Sequence, residues 1–294
     1  LDIDKNVTIY GGTKIEDYPK EQDKWHEVVA EGEADVGIIG GRKINGQGLK
    51  FVKVFNERKN VMFALTQNTS VEDVTIYGNF NSPNIDGIDI EDSNNTSQDA
   101  KLTPDLSITS PQQTPGFQQN PQQSSLAGLA GNVSDITFSN INISTRYYDP
   151  SWWGKAEPIY VTTCPRDRNS KEGSISNLQF INITATSENG IFLSGSRHGM
   201  LSNLKFFNVN LTYTRWTNYS GGMLDYRPGC QGLVNHSTAG FVVEHIDGVD
   251  VQNVNMRWSS EDNSGRWKNN PIEFRPSTVN NISFLNFHSG LCSG

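Results

Sequence analysis

Residues whose side chains could do chemistry are scattered thinly along the chain, so their spacing matters more than their number. The densest acidic stretch is Asp86, Asp89, Glu91 and Asp92. Asp86 and Asp89 belong to Asn84-Ile-Asp-Gly-Ile-Asp89. In a regular strand Asn84 and Asp86 share a face and Asp89 points to the other, so Asp86 and Asp89 do not form an acid–base pair on their own. Locally, Asp86 also reads as a turn-capping acid ahead of Gly87. Two copies of acid-x-Arg-Pro follow, Asp225-Tyr-Arg227-Pro and Glu273-Phe-Arg275-Pro. Extended backbone puts acid and arginine on one face in each. There the pair makes a salt bridge at a strand end, or the arginine grips a ligand carboxylate with two parallel hydrogen bonds. Trp152 and Trp153 offer flat faces for sugar rings, with Arg146 and Lys155 beside them; the competing reading is that at least one covers a coil edge. His198, in Ser196-Arg-His-Gly199, reads as a surface-turn histidine. Nothing in these groups suggests a metal or another cofactor.

A repeat must position these groups. Asp135-Ile-Thr-Phe-Ser-Asn140, Asn177-Leu-Gln-Phe-Ile-Asn182, Asn203-Leu-Lys-Phe-Phe-Asn208 and Asn281-Ile-Ser-Phe-Leu-Asn286 are copies of one unit, and Val249-Asp-Val-Gln-Asn253 is a weaker one. Each alternates apolar and polar residues, the period of a half-buried strand. The closing Asn tolerates left-handed backbone and suits a sharp turn. Stacked on its counterpart one coil away, it would form a side-chain ladder. Further strand candidates lie between the copies, at 190–195, 222–227, 240–244 and 271–275. No amphipathic helix appears after residue 130. Strands without crossover helices describe a solenoid. The expected fold is all-β, a right-handed parallel β-helix forming one domain over residues 1–294, ahead of a β-propeller. Residues 93–131 break the pattern: Pro104, Pro111, Pro115 and Pro121 stand among paired glutamines, and this stretch is expected to be a disordered insert and not a coil.

Composition narrows the function. The 294 residues carry a net charge of −8, with 27 glycines and 10 % aromatics. No Lys/Arg-rich block exists, so no nucleic-acid partner is expected. No run of about 18 apolar residues exists, so no membrane span is expected. Three cysteines, Cys164, Cys230 and Cys292, allow one disulfide and a free thiol, or none. The start at Leu1 suggests a processed or partial chain. Many Asn-x-Ser/Thr triplets, among them Asn142, Asn182, Asn210 and Asn281, are either turn residues or glycan acceptors, and their density favours secretion.

Four stretches resemble glycoside hydrolase family 28, the polygalacturonases and rhamnogalacturonases. They are Gly40-Gly-Arg-Lys-Ile-Asn-Gly-Gln-Gly48, the Asn84–Asp89 motif, Tyr147 to Val161 with its Trp-Trp-Gly, and Gly221-Gly-Met-Leu-Asp-Tyr-Arg-Pro-Gly229. The last two are similar to a plant-type branch. The resemblance implies a metal-free, inverting hydrolase of galacturonic-acid linkages, secreted to the cell wall, monomeric, with pectin as its partner. Three carboxylates would do the work: one protonates the leaving oxygen and two hold the water. Only Asp86 matches one of them, a water-activating acid; Asn84 and Asp89 match its motif neighbours. The Gly-Asp-Asp, Gly-His-Gly-like and Arg-Ile-Lys motifs of the family have no counterpart here. The expectation is therefore a hydrolase scaffold with impaired catalysis. The alternatives are a non-catalytic polysaccharide-binding solenoid and, less favoured, a Ca²⁺-dependent lyase.

Overall fold

The computed structural model describes residues 1–4, 6–17, 26–39, 42–45, 47, 59–64, 67–77, 88–91, 94–103, 106–109, 132–147, 155–165, 171–215, 217–218, 222–227, 229–259 and 270–291, several strands in 26–109 by backbone alone. In the N-terminal half the strands are β1 (Thr8–Tyr10), β2 (His26–Glu31), β3 (Gly37–Ile38), β4 (Arg42–Asn45), β5 (Lys59–Ala64), β6 (Gln67–Tyr77), β7 (Ile88–Glu91), β8 (Asn94–Thr103), β9 (Leu106–Thr109) and β10 (Asn132–Ser144). They continue as β11 (Ile159–Thr162), β12 (Ser174–Ser187), β13 (Ile191–Ser194), β14 (Leu201–Tyr213), β15 (Met223–Asp225), β16 (Leu233–Asn235), β17 (Phe241–Glu244), β18 (Ile246–Trp258), β19 (Ile272–Phe274) and β20 (Val279–Leu291). Among the described residues there is no α-helix, only short 3-10 turns at Ile15–Asp17 and Pro276–Thr278.

One long parallel sheet runs β1-β4-β6-β8-β10-β12-β14-β18-β20, with β3 also on β6. A five-stranded parallel sheet, β9-β11-β13-β17-β19, and a three-stranded one, β2-β5-β7, make the other wall, with β7 lying against β9. The chain passes from one wall to the other and returns one strand further on. This is the right-handed parallel β-helix, the hand that right-twisted strands impose on parallel crossovers. The minimal coil is short: Asn177 and Asn203, stacked neighbours, are 26 residues apart, while Asn208 and Asn253 are 45 apart. The longer coil includes a hairpin, β15 antiparallel to β16. The strand expected at 222–227 is thus found outside the stack of coils, in a local hairpin.

Asparagine bends the long strands around the core. In β10, Asp135 and Asn140 have φ of 58° and 56°. Each left-handed residue adds one to the inward spacing, so the buried positions run Val133, Ile136, Phe138, Ile141, Ile143. Asn177 and Asn182, Asn203 and Asn208, and Asn281 and Asn286 repeat the device, all at φ between 51° and 56°. The expected ladder forms beside them. Asn182 Nδ2 donates to Asn140 Oδ1 (2.9 Å), Asn208 to Asn182 (3.1 Å), Asn253 to Asn208 (3.1 Å) and Asn286 to Asn253 (2.9 Å). The other row runs Asp135–Asn177–Asn203 and stops at Gly248, which takes φ 90° without a side chain; Asn281 donates instead to Asp247.

The core is stacked in the same way. Phe138, Phe180 and Phe206 occupy one register, with ring centroids 5.2 and 4.7 Å apart in near-parallel stacks. Phe241 meets Phe206 edge-on at 5.3 Å from the opposite wall. Such contacts add about 0.5–1.5 kcal/mol per pair to the burial itself. Gly190 has no room for a side chain: a Cβ there would lie 1.7 Å from the Ala239 carbonyl oxygen.

Residues 93–131 need a correction. Residues 94–103 are β8, paired in parallel with β6 and β10, and 106–109 are β9, paired with β11. A polar sequence joins the stack here because parallel neighbours supply backbone partners, which composition does not register. Residues 110–131, which hold most of the Pro/Gln tract, lie outside the described residues.

Candidate functional site

Three of the described site residues, Asp225, Arg227 and Arg275, gather on the outer face of the five-stranded sheet, where the β15–β16 hairpin packs. Ile159 and Val161 of β11 point into the coil, and Tyr160 points out. Tyr160, Phe192 and Val242 form an apolar row across β11, β13 and β17, covered by Leu224, Tyr226 and Ala239. A disulfide between Cys164 and Cys230, with Cα atoms 5.7 Å apart, holds the hairpin turn against the end of β11. Gly229 N–H also donates to the Pro165 carbonyl. Of the alternatives open to three cysteines, one bridge forms; Cys292 lies outside the described residues.

Asp225 is nearly buried and its Oδ1 accepts from Arg227 N–H at 3.0 Å. Arg227 is left-handed, with φ 61°. The expected shared strand face for Asp225 and Arg227 is therefore not found: the carboxylate caps its own turn, and the turn swings the arginine over the Tyr160 ring, 5.8 Å from its centre. Tyr160 Oη donates to the Asp225 carbonyl at 2.8 Å. Burial pushes the Tyr160 phenol well above its ordinary range, and the Arg227 guanidinium opposes that only in part.

The second copy stays extended, with Arg275 at φ −93° and ψ 106°. Its acid and arginine each take a different partner. Arg275 Nε pairs with Glu244 Oε1 on the neighbouring strand at 2.9 Å, and Glu273 Oε1 meets His236 Nε2 at 2.8 Å. Glu244 is buried and its Oε1 also accepts from Tyr226 Oη at 2.9 Å. Burial raises the Tyr226 phenol, and the Glu244 charge adds to that. More than half of the Arg275 side chain is exposed, so its outer edge faces solvent. Glu244 and His236 were not singled out from the sequence. An acid closing the apolar strand Phe241-Val-Val-Glu244 was the available signal, since a charge on a buried strand needs partners.

The remaining candidates are distributed differently. Asp89 lies on β7, opposite Met62 of β5. Asn84, Asp86, Trp152 and Trp153 lie outside the described residues. Beside Tyr147 and Lys155 two acids are buried and held by donors. Glu188 accepts from Tyr147 N–H (2.6 Å) and Thr217 N–H (2.7 Å), and Glu157 from Lys155 N–H and Asn189 Nδ2. His198 is exposed in a turn, its N–H donating to Glu172. Among the described residues no three His, Cys, Asp or Glu side chains are arranged to hold a metal, and no helix is long and apolar enough to cross a membrane.

No family model and no curated protein matches the chain. Solved structures do. A polygalacturonase from Erwinia carotovora ssp. carotovora aligns at 13 % identity and a TM-score of 0.43, covering 100 % of this chain and 81 % of that one. The Yersinia enterocolitica family 28 exopolygalacturonase aligns at 9 % identity and a TM-score of 0.44, covering 100 % and 69 %.

Proposed function

We propose that this chain is a secreted, pectin-binding β-helix of the glycoside hydrolase kind, weak in hydrolysis as it stands. One observation carries the reading: the Asn84–Asp89 motif runs directly into β7, so its second acid is part of a coil that stacks in parallel on β5. Neighbouring coils of such a stack lie about 4.8 Å apart. In this reading Asp86 activates water, Asn84 and Asp89 bind substrate, and Trp152 and Trp153 stack on sugar rings. Arg275 meets a uronate carboxylate through the edge that Glu244 leaves free, with Asp225 and Arg227 shaping the adjoining wall.

Weak hydrolysis is proposed from the strands stacked after β7 in the same wall. Inversion needs an acid and a base about 6.5–9.5 Å apart, hence acids on adjacent coils. β9 reads Leu106-Ser-Ile-Thr109 and β11 reads Ile159-Tyr-Val-Thr162, without a carboxylate in either strand. That also supports the second reading, a binder without catalysis. The Cys164–Cys230 bridge supports an oxidising, secretory destination. The chain is proposed to act as a single-domain monomer. Binding of oligogalacturonate, followed by calorimetry, tests the reading. Arg275→Ala should weaken binding about tenfold, the scale of one charged hydrogen bond. No binding by the parent chain, or equal binding by the variant, would overturn it.

A further inference from the structure

The outer face of the long sheet carries two kinds of asparagine in Asn-x-Ser/Thr triplets. Asn182 and Asn281 are ladder residues at left-handed backbone, and their Nδ2 atoms donate to Asn140 and Asp247. Asn142 and Asn210 sit on ordinary extended strand, exposed, with no side-chain hydrogen bond among the described residues. They share one row: Asn142 pairs with Thr184, and Thr184 with Asn210. Two strand spacings, about 9.6 Å, separate them, and the side chains of this row face away from the core.

We propose that Asn142 and Asn210 carry asparagine-linked glycans and that Asn182 does not. The proposal rests on the secretory route put forward above. The amide Nδ2 of each acceptor forms a bond to C1 of an oligosaccharide delivered on a polyprenyl pyrophosphate. The C1–oxygen bond to the pyrophosphate breaks, the lipid pyrophosphate leaves, and the amide gives up one proton. On Asn142 or Asn210 the new sugar points into solvent and disturbs no contact. On Asn182 it would sit between two ladder neighbours less than a strand spacing away on each side, and would part Asn140 from Asn208. The long sheet is then a glycan-shielded face, and polysaccharide contact is confined to the wall built by β7, β9, β11, β13, β17 and β19.

The test is site occupancy in the full chain secreted from a eukaryotic host. Enzymatic removal of glycans in heavy-oxygen water leaves labelled aspartate at each occupied site, read by mass spectrometry. Label at Asn142 and Asn210 and none at Asn182 is expected. An unlabelled Asn142 or Asn210, or a labelled Asn182, overturns the proposal. Asn142→Gln and Asn210→Gln should each remove one glycan's mass and keep the β-sheet circular dichroism. Asn182→Gln should keep the glycan mass and lower the thermal midpoint; loss of a glycan there overturns the assignment. None of these readouts depends on pectin, so a failed hydrolase reading leaves a different trace.

Discussion

Replacing Asn208 separates the two tasks that the ladder asparagines perform. Asn208 holds φ 56°, donates to Asn182 and accepts from Asn253, both at 3.1 Å. Because it is exposed, each bond competes with water and is worth about 0.5 kcal/mol, at the low end for such bonds. A left-handed backbone costs a residue with a plain Cβ about 1–2 kcal/mol. Asn208→Ala should therefore cost about 2–3 kcal/mol. Asn208→Gly loses the same bonds and loosens the unfolded chain by about 0.5–1 kcal/mol, but adopts the backbone freely. It should cost about 1.5–2 kcal/mol. Gly248 shows that the fold accepts glycine at the corresponding bend of the other row. Asn208→Asp keeps the acceptor for Asn253 and should cost least. Urea denaturation followed by tryptophan fluorescence measures the order Ala, then Gly, then Asp. If glycine proves at least as damaging as alanine, left-handed geometry is not what asparagine supplies here.

Reducing the Cys164–Cys230 bridge should release the hairpin and leave the coils intact. Closing a 66-residue separation corresponds to about 4 kcal/mol of chain entropy, and hydrogen exchange should rise in residues 222–238 ahead of 174–214. Phe180→Ala removes the middle ring of the inner stack and should cost about 3–5 kcal/mol in the same denaturation assay. Tyr160, Tyr213 and Tyr226 have phenols raised chiefly by burial, so the folded state holds their protons more tightly than the unfolded chain does. Their contribution to stability is full below the unfolded value of about pH 10 and is lost as pH rises above it. Absorbance at 295 nm should show these three phenols ionising only as the protein unfolds.

The coil was legible wherever the repeat carried its own turn chemistry. A Phe between an Asn or Asp and an Asn five residues on specifies an inward ring and two bends, so β10, β12, β14 and β20 could be read directly. At β18 the unit looked weaker because Gly248 makes the first bend with no side chain to recognise. β8 and β9 were not legible, since Asn94–Thr103 is nearly all polar and owes its strand to parallel neighbours on both sides. The site was legible only as residue types. Asp225 and Arg227 were read as face-sharing neighbours, but a local carboxylate-to-backbone bond outcompetes the extended geometry. Arg275 found its acid on the next strand, 31 positions earlier, at Glu244. Cross-coil partners of this kind depend on register, which spacing along the chain does not encode.

The most direct test is release of reducing ends from polygalacturonate by the purified chain, beside its Asp86→Asn variant. General acid–base assistance is worth about 10²–10⁴-fold per group, and β9 and β11 supply no second carboxylate beside the coil that holds Asp89. Binding with barely measurable hydrolysis is expected, well below an ordinary turnover of about 1–10³ s⁻¹, with a small further loss in Asp86→Asn. Turnover in that ordinary range, abolished by Asp86→Asn, would contradict it and show that a complete acid–base set is present.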